Sequence, residues 1–490
     1  MNETNQTTPV AAPVTTDGGK KTWSAGTRVY TLGGLVAVFA WLLIGDFAWA
    51  TRERSVGPMA QWYLNSLQVP NWLFGVLITS FPAALWLILG PIISVRSDRH
   101  RGPRGRRIPF LLVMTPIAAL GIIGIGLTPY IARWLHGVLA STHRFGGWLH
   151  SGLDDFAAGA WVLRTLENEM IVSVVCFGVF WALYELATIA VPTLLGGLIN
   201  DVVPKPLLGR FYGLFRAVGL IDGMIFNFWL MGKVPTHFTL MLVIVGFTYA
   251  AAFLWMCYKV KEGDYPPPPP APEKQPGLRG WWAELRRYVR ECFTSKYYLA
   301  VFVMWMMASL CFQPINVFSL PYARSLGVDM GLYGKMLALT FAISLSFSFF
   351  LGWLVDKFHP LRMVMFSLGA YALVTTTGAV YATTANSFLV AWVLHGVFSG
   401  CYYTCVASLG QRLFPHNKYA QFFSASSIFL SFANILLAPS IGWLIDATGR
   451  VYRLTFVVGG VLALMALVCA WYVHGKFMKL GGPKSYVAPE

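Results

Sequence analysis

The sequence predicts an all-α membrane protein of twelve spanning helices, arranged as two pseudo-symmetric six-helix bundles with both termini in the cytoplasm. Three observations predict it: apolar runs of bilayer length, a shortage of charge, and features of the first half that recur in the second. Of the 490 residues, 56% are hydrophobic and only 12% charged, where a soluble protein of this size carries about a quarter charged residues. A hydrocarbon core of about 30 Å needs about 20 apolar residues per helix. Twelve segments meet that length, at roughly 28–50, 71–95, 108–131, 169–199, 209–231, 236–260, 298–321, 331–355, 361–384, 386–413, 418–446 and 452–475. Lipid offers no partner for backbone N–H and C=O groups, so each segment is a helix or part of a closed barrel. The runs lack the period-two alternation that a barrel requires.

Charge placement sets the orientation. With the N-terminus inside, the inner loops hold Arg96, Arg99, Arg101, Arg104, Arg106 and Arg107 together, then Lys205, Arg210, Lys357, Arg362, Arg412 and Lys418. Counting the tails and the central linker, about 26 basic residues fall inside against about 10 outside, the asymmetry of cytoplasmic loops. The net charge of +16 is therefore a membrane-topology signal, and no basic patch on a soluble domain points to nucleic acid.

The repeat is carried by two echoes. Gly352-Trp353-Leu354-Val355-Asp356-Lys357, with Arg362 beyond, follows the eighth span as Asp98-Arg99 and Gly105-Arg106-Arg107 follow the second. Asn200-Asp201-Val202-Val203-Pro204 with Phe211 precedes the fifth span, and Gln411-Arg412-Leu413-Phe414-Pro415 with Phe422 precedes the eleventh at the same internal spacing. The expected organisation is a disordered cytoplasmic tail (1–27), an N-terminal bundle (28–260) with an outer insertion at about 132–168, a cytoplasmic linker (261–297), a C-terminal bundle (298–476) and a tail (477–490). The linker opens with Pro266 to Pro270, an extended spacer. It continues into a segment with Trp281, Leu285, Tyr288, Val289 and Cys292 on one helical face and arginines opposite, an amphipathic helix suited to the inner leaflet. The N-terminal tail has no apolar core for a cleaved signal, and its Asn2-Glu3-Thr4 and Asn5-Gln6-Thr7 triplets lie on the wrong side for glycosylation. Within the insertion, Trp134, His136, Asp154 and Asp155 suggest some local order. Six of the seven cysteines lie in apolar runs and the seventh, Cys292, in the linker, so neither a disulfide framework nor a metal site is expected. No nucleophile–base set appears, and no enzyme is predicted.

Ionisable groups at membrane depth are costly and face a cavity or a partner. Four fall there: Asp46 in the first span, Glu185 in the fourth, and Arg216 and Asp222 in the fifth. Glu185 shares its face with Trp181, Thr188 and Pro192; Arg216 shares its face with Gly223 and Asn227. A carboxylate and a guanidinium can satisfy one another, turn to sugar hydroxyls when these enter, and part on protonation. A carboxylate in an apolar cavity takes up a proton more readily than one in water. A buried ion pair that only fixes helix register is the competing reading. From the second half, Gln313 and Asn316 bracket Pro314, Tyr402 and Tyr403 lie in the tenth span and Asn434 in the eleventh; His395 reads as a core histidine. Amides, hydroxyls and aromatic faces of this kind suit sugars.

The loop Ser97-Asp98-Arg99-His100-Arg101-Gly102-Pro103-Arg104-Gly105-Arg106-Arg107-Ile108-Pro109-Phe110 resembles the loop between the second and third helices of major facilitator transporters. Within that superfamily the chain is most similar to sucrose-type carriers and the glycoside–pentoside–hexuronide sugar:cation symporters. The likeness covers Pro70-Asn71-Trp72, Gly90-Pro91 and the loop itself, while the second half is matched by topology and the Asp356 loop. It implies the major facilitator fold, and it implies that Asp46, Glu185 and Arg216 contact sugar hydroxyls. Asp98, Arg99, Gly105, Arg106 and Arg107, with Asp356, Lys357 and Arg362, would brace the two halves when the inner mouth is shut. Sodium-coupled relatives carry an aspartate pair in the second span, which is absent from Trp72 to Val95, so the proton is the expected coupling ion, with no other cofactor.

The sequence thus predicts a proton-coupled symporter of a sugar or glycoside working by alternating access, a monomer in a bacterial inner (plasma) membrane. A drug–proton antiporter and a non-transporting sugar receptor on the same fold are the alternatives. Gly219-Leu220-Ile221-Asp222-Gly223 lacks the Gly-Pro signature that antiporters resemble.

Overall fold

A computed structural model describes residues 16–17, 20–140, 143–153, 157–189, 191–265, 278–415 and 419–489. The chain is all-α apart from two short antiparallel strand pairs, Thr16–Asp17 with Lys20–Lys21 and Trp23–Ala25 with Arg28–Tyr30. The first three strands fall in the segment expected to be a disordered tail, and Arg28–Tyr30 occupies the start of the expected first span, so the helix begins only at Leu32; residues 1–15, 18 and 19 lie outside the described residues.

The helices follow in order. α1 is Leu32–Ser66; α2 (Asn71–Gly75) runs through a π-helical turn, Val76–Ser80, into α3 (Phe81–Arg99); α4 is Ile108–Leu139. The insertion holds α5 (Arg144–Leu153) and α6 (Ala157–Leu166), and Asp154 and Asp155 lie outside the described residues. α7 (Glu169–Thr188) and α8 (Val191–Val202) make the fourth span, and α9 (Leu208–Ile225) leads through Phe226–Leu230 and Met231–Lys233 to α10 (Val234–Lys259). Then come α11 (Leu278–Phe293), α12 (Lys296–Leu310), α13 (Gln313–Ser325), α14 (Met330–Phe358), α15 (Pro360–Tyr381), α16 (Ala385–Val406), α17 (Leu409–Leu413), α18 (Tyr419–Ala447), α19 (Leu454–Lys479) and α20 (Gly482–Ser485).

Eleven stretches among the described residues are long and apolar enough to cross a membrane. One of them, Lys205–Lys259, has 55 residues. At 1.5 Å per residue that is about 80 Å of helix, far more than one crossing needs. It holds two passes, divided by the 3-10 turn at Met231–Lys233 and the non-helical His237 (φ −127°, ψ 24°). Pro314 has no N–H to continue the ladder, and the seventh span is accordingly broken at Cys311–Phe312, between α12 and α13.

The largest departure from the sequence reading is α1. It does not stop near residue 50 but continues for 35 residues to Ser66. Val56, Met59, Ala60, Tyr63 and Leu64 are all buried, at the i, i+3, i+4, i+7 and i+8 positions of one helix face. The helix therefore carries Arg52 inside the protein, while Glu53 is exposed.

The chain divides into two compact units, and these are not the two sequence halves. The first is Met1–Val56, Ile88–Asp222 and His237–Pro269; the second is Gly57–Leu87, Gly223–Thr236 and Pro270–Glu490. The first is organised by α4 packing along α7, where a Cβ on Gly121 would fall 2.7 Å from the backbone nitrogen of Tyr184. Only a glycine lets the helices meet that closely, and the contact fixes the depth of Tyr184 and Glu185. The second is built on an aromatic core that includes Tyr298, Phe302, Phe312, Tyr371, Tyr402, Phe414 and Phe422. Phe211 and Phe422, the echoed phenylalanines, are both buried, each in its own unit.

The second unit takes in stretches of the first sequence half because those stretches pack on its helices. Asn71 Nδ2 donates to Asp446 Oδ1 at 2.6 Å, the Trp72 amide donates to Asp446 Oδ2 at 3.1 Å, and Tyr452 donates to Asn71 Oδ1 at 3.1 Å. Two to three turns further along the helices, Ser80 donates to the carbonyl of Ile435 at 2.6 Å. A Cβ on Gly442 would fall 2.2 Å from the Asn71 carbonyl oxygen, and one on Gly334 would fall 2.2 Å from the Asn227 carbonyl oxygen. These contacts form a seal of α2 on α18 and of the 226–230 turn on α14, on the face that the charge asymmetry assigns to the outside.

The amphipathic helix of the linker is α11. Its apolar side meets protein rather than being left wholly for lipid: Cys292 is fully buried, Phe293 packs on Phe302 and Phe429, and Tyr288 donates to the carbonyl of Gln421. Pro266 to Pro270 lie outside the described residues, as does Lys418.

Candidate functional site

The intramembrane charges of the first unit gather around α1. Asp46 and Arg52 are almost wholly buried, 2% and 6% exposed. Arg52 Nη1 donates to the hydroxyl of Tyr184 at 3.0 Å. Its guanidinium carbon stands 4.9 Å from the Trp49 ring centre, 5.6 Å from Tyr184 and 5.9 Å from Tyr249. An aromatic box of this kind stabilises a desolvated guanidinium. Trp49 Nε1 donates to Glu53 Oε2 at 2.8 Å, and Glu53 and Glu185 are the carboxylates whose charge acts on Arg52. On the α9 side, Thr51 donates to Asp222 Oδ1 at 2.9 Å. Trp181 is buried, with Phe177 at 5.6 Å and Tyr184 at 5.3 Å between ring centres, so α7 presents an aromatic ladder that ends at Glu185.

Buried polar atoms are hydrogen-bonded as a rule. Three atoms of this cluster are buried without a partner among the described residues: Asp46 Oδ2, Arg52 Nε and Asp222 Oδ2. They offer two acceptors and one donor. A ligand with several hydroxyls can satisfy them, since each hydroxyl both donates and accepts.

The structure thus brings Asp46, Glu185, Asp222 and Trp181 into one unit and adds Arg52, which the sequence reading missed. Arg216, expected to face Glu185, is exposed on α9 and takes no part in the hydrogen bonds of the cluster. The guanidinium beside Glu185 is that of Arg52, because α1 extends past residue 50. Asn227 falls in the second unit, where its Nδ2 donates back to the Gly223 carbonyl at 2.7 Å and its own carbonyl packs on Gly334.

The other candidates form a separate polar group in the second unit. His395 is buried with Nδ1 2.8 Å from the Tyr371 hydroxyl and Nε2 3.0 Å from Asn316 Oδ1. Tyr402 is buried between Phe312 and Tyr403 at 5.2 and 5.4 Å. Gln313 and Asn434 line a crevice with Thr79 too narrow for a water.

The basic loop is tied down within the first unit. Arg106 grips Asp201 with two hydrogen bonds, Nη2–Oδ1 at 2.7 Å and Nε–Oδ2 at 3.1 Å. Arg107 bridges Asp201 at 2.9 Å and Asp98 at 3.1 Å. Glu262, at the end of the sixth span, caps the start of α4: Oε1 accepts from the amides of Arg107 and Ile108 at 2.9 and 2.8 Å, and Oε2 accepts from the amide of Arg106 at 3.0 Å. Tyr265 donates toward Glu262 Oε2 at 2.7 Å and lies 3.0 Å from Asp201 Oδ2. Burial raises the Tyr265 phenol above its ordinary range, and the two carboxylates beside it push the same way. Gly105 has φ +96°, and a Cβ there would come 2.4 Å from the Glu262 carboxyl carbon, so both conformation and space require glycine. Arg99 is exposed. Here Arg106 and Arg107 brace the helices of their own unit, where the sequence reading had them bracing the two halves. In the matching loop, Lys357 lies over Trp353 at 4.8 Å and Arg362 Nε reaches His474 Nε2 at 3.5 Å; the Asp356 side chain lies outside the described residues.

Comparison with known proteins agrees with this architecture. The family model described as Major Facilitator Superfamily matches residues 306–481. No curated protein matches the chain by sequence. Among solved structures, a mutant of the nucleoside transporter NupG superposes with a TM-score of 0.63 at 10% identity, covering 89% of this chain and 99% of its own. A bacterial homologue of the human lysosomal transporter Spinster gives 0.57 at 15% identity, covering 93% and 98%. A D-xylose–proton symporter gives 0.55 at 13% identity, covering 89% and 96%. At these identities the likeness concerns the fold. The match over residues 306–481 and the likeness to these solved structures show an all-α membrane fold of the major facilitator type.

Proposed function

We propose that the chain carries out proton-coupled symport of a sugar or glycoside by alternating access, with the α1–α7–α9 cluster as the shared site of substrate and proton. The observation that carries the reading is the set Asp46, Arg52, Glu185 and Asp222, held at membrane depth with three unpartnered polar atoms beside the aromatic rings of Trp49 and Trp181. Hydroxyls of a sugar take those atoms as partners, and its C–H faces lie on the rings. Protonation turns an acceptor-only carboxylate into a group that can also donate. At Glu185 that change removes the charge acting on Arg52, which frees the guanidinium to rearrange. The seal of α2 on α18 is the element that must part for the outer mouth to open. The resemblance to glycoside–pentoside–hexuronide carriers supports Asp46 and Glu185 as sugar contacts. The proton is favoured over sodium because the second span lacks the aspartate pair.

Uptake of labelled mono- and disaccharides into proteoliposomes under an imposed pH gradient tests this. Accumulation that follows the gradient is expected. Binding without accumulation makes the chain a receptor, and gradient-driven extrusion of dyes without sugar competition makes it an antiporter.

A further inference from the structure

We propose that a cavity at the basic end of the first unit is a binding site for the headgroup of an anionic phospholipid. The cavity has a volume of about 660 Å³ and lies where the start of α4 meets the end of α10. Its rim carries four cations, Arg28, Arg104, Lys259 and Lys261, all exposed, over the apolar side chains of Ile108 and Leu112. The acid in its lining, Glu262, has both carboxylate oxygens committed to the amides of residues 106–108 and to Tyr265. Arg28 already donates through Nε and Nη2 to the Glu262 carbonyl at 3.2 and 3.1 Å, so Arg104, Lys259 and Lys261 are the cations left to face a ligand, with no uncommitted carboxylate in the lining. That arrangement suits a phosphate, whose charge and several acceptor oxygens match lysine and arginine donors.

The surroundings favour a lipid as the source of the phosphate. Lys259 stands over Trp255 at 4.9 Å and near Trp41 and Tyr258 at 5.8 Å each. Clustered Trp and Tyr mark the level of the headgroups in a bilayer. Trp255 and Tyr258 are exposed, and so are Leu32 and Val36 on α1, the helix that meets α10 through Trp41 and Trp255. A headgroup in the cavity places acyl chains beside this apolar surface, which a free phosphate does not use. Basic pockets at the inner ends of spanning helices bind anionic headgroups on the same physical grounds. The site lies outside the intramembrane cluster and shares no residue with it.

The test is native mass spectrometry of the full chain in detergent, titrated with phosphatidylglycerol, phosphatidylcholine or inorganic phosphate. The wild type should retain phosphatidylglycerol over phosphatidylcholine, and the Arg104→Ala/Lys261→Ala double variant should lose roughly 10- to 30-fold of that preference. Lys259→Met, which keeps the apolar stem, should lose part of it, and thermal unfolding without lipid should be unchanged in both. Equal retention of the two lipids, or a preference untouched in both variants, overturns the proposal. Stabilisation by inorganic phosphate in the absence of lipid, with phosphate displacing phosphatidylglycerol, assigns the cavity to a free anion and overturns the lipid reading.

Discussion

Gly442→Ala should open the seal of α2 on α18. The added methyl carbon would lie 2.2 Å from the Asn71 carbonyl oxygen, 2.4 Å from its carbon and 2.6 Å from the Trp72 nitrogen. All three are backbone atoms of a helix start and cannot swing aside as a side chain does. The two helices must separate, and forcing a methyl into a packed contact costs about 1–3 kcal/mol. Separation also stretches the 2.6 and 3.1 Å hydrogen bonds to Asp446, and bonds to a charged group contribute about 1.5–3 kcal/mol each. If half of one such bond is lost, the sealed state is disfavoured by about 2–4 kcal/mol, a shift of roughly 30- to 700-fold in the conformational equilibrium. Thr79 lines the crevice under this seal. In a Thr79→Cys background, Gly442→Ala should speed labelling by a membrane-impermeant maleimide added outside by at least about tenfold. An unchanged labelling rate, in protein that still elutes as a folded species, would refute the seal as described.

Other perturbations follow from the same contacts. Asp201→Asn removes the shared partner of Arg106 and Arg107, whose side chains are 20% and 11% exposed. Breaking such a pair on one side costs about 1–3 kcal/mol here, below the figure for full burial, and should lower the Tm by several degrees in differential scanning fluorimetry. Gly105→Ala should match or exceed that loss, since both the φ and the space are denied. His359 gives a pH prediction. Its imidazole is pushed down to about 4 by burial and by Arg412, Arg362 and His474, while its Nδ1 accepts from the Leu361 amide at 3.3 Å. It is neutral in the folded protein, and the unfolded chain takes the proton near 6.5, so this contribution is full above 6.5 and declines as pH falls from there toward 4. The Tm should drop more steeply over that window in the wild type than in His359→Asn, which keeps an acceptor at the cap; equal slopes would exclude His359. Arg52→Leu should abolish sugar transport while retaining expression, whereas Arg216→Leu should retain transport; the reverse pattern would restore Arg216 to the site.

How much was legible follows from where each signal resides. Helix existence is a local property, and the spanning helices among the described residues stand in the runs of apolar residues. The ends of α1 were misread because Arg52, Glu53 and Arg54 look like a span terminus. The buried stripe Val56, Met59, Ala60, Tyr63 and Leu64 carried the correct signal, since a surface loop has no reason to repeat every three to four residues. Glu185 was legible as a charge in an apolar run, but its guanidinium was assigned to Arg216 because both lie in recognisable spans. Spacing along a chain does not determine which helices touch. The same limit hid Glu262, whose bonds to the amides of residues 106–108 cross more than 150 positions of sequence. Pro70-Asn71-Trp72 stood out as a motif, and only the structure supplies its partner, Asp446.

The most direct test of the central claim compares two transport modes of Glu185→Gln in proteoliposomes. If Glu185 exchanges the coupling proton beside Arg52, the variant should keep sugar counterflow at equal concentrations, because exchange needs no net proton movement, and should lose accumulation driven by a pH gradient. Accumulation against the sugar gradient at wild-type level in Glu185→Gln would contradict the account.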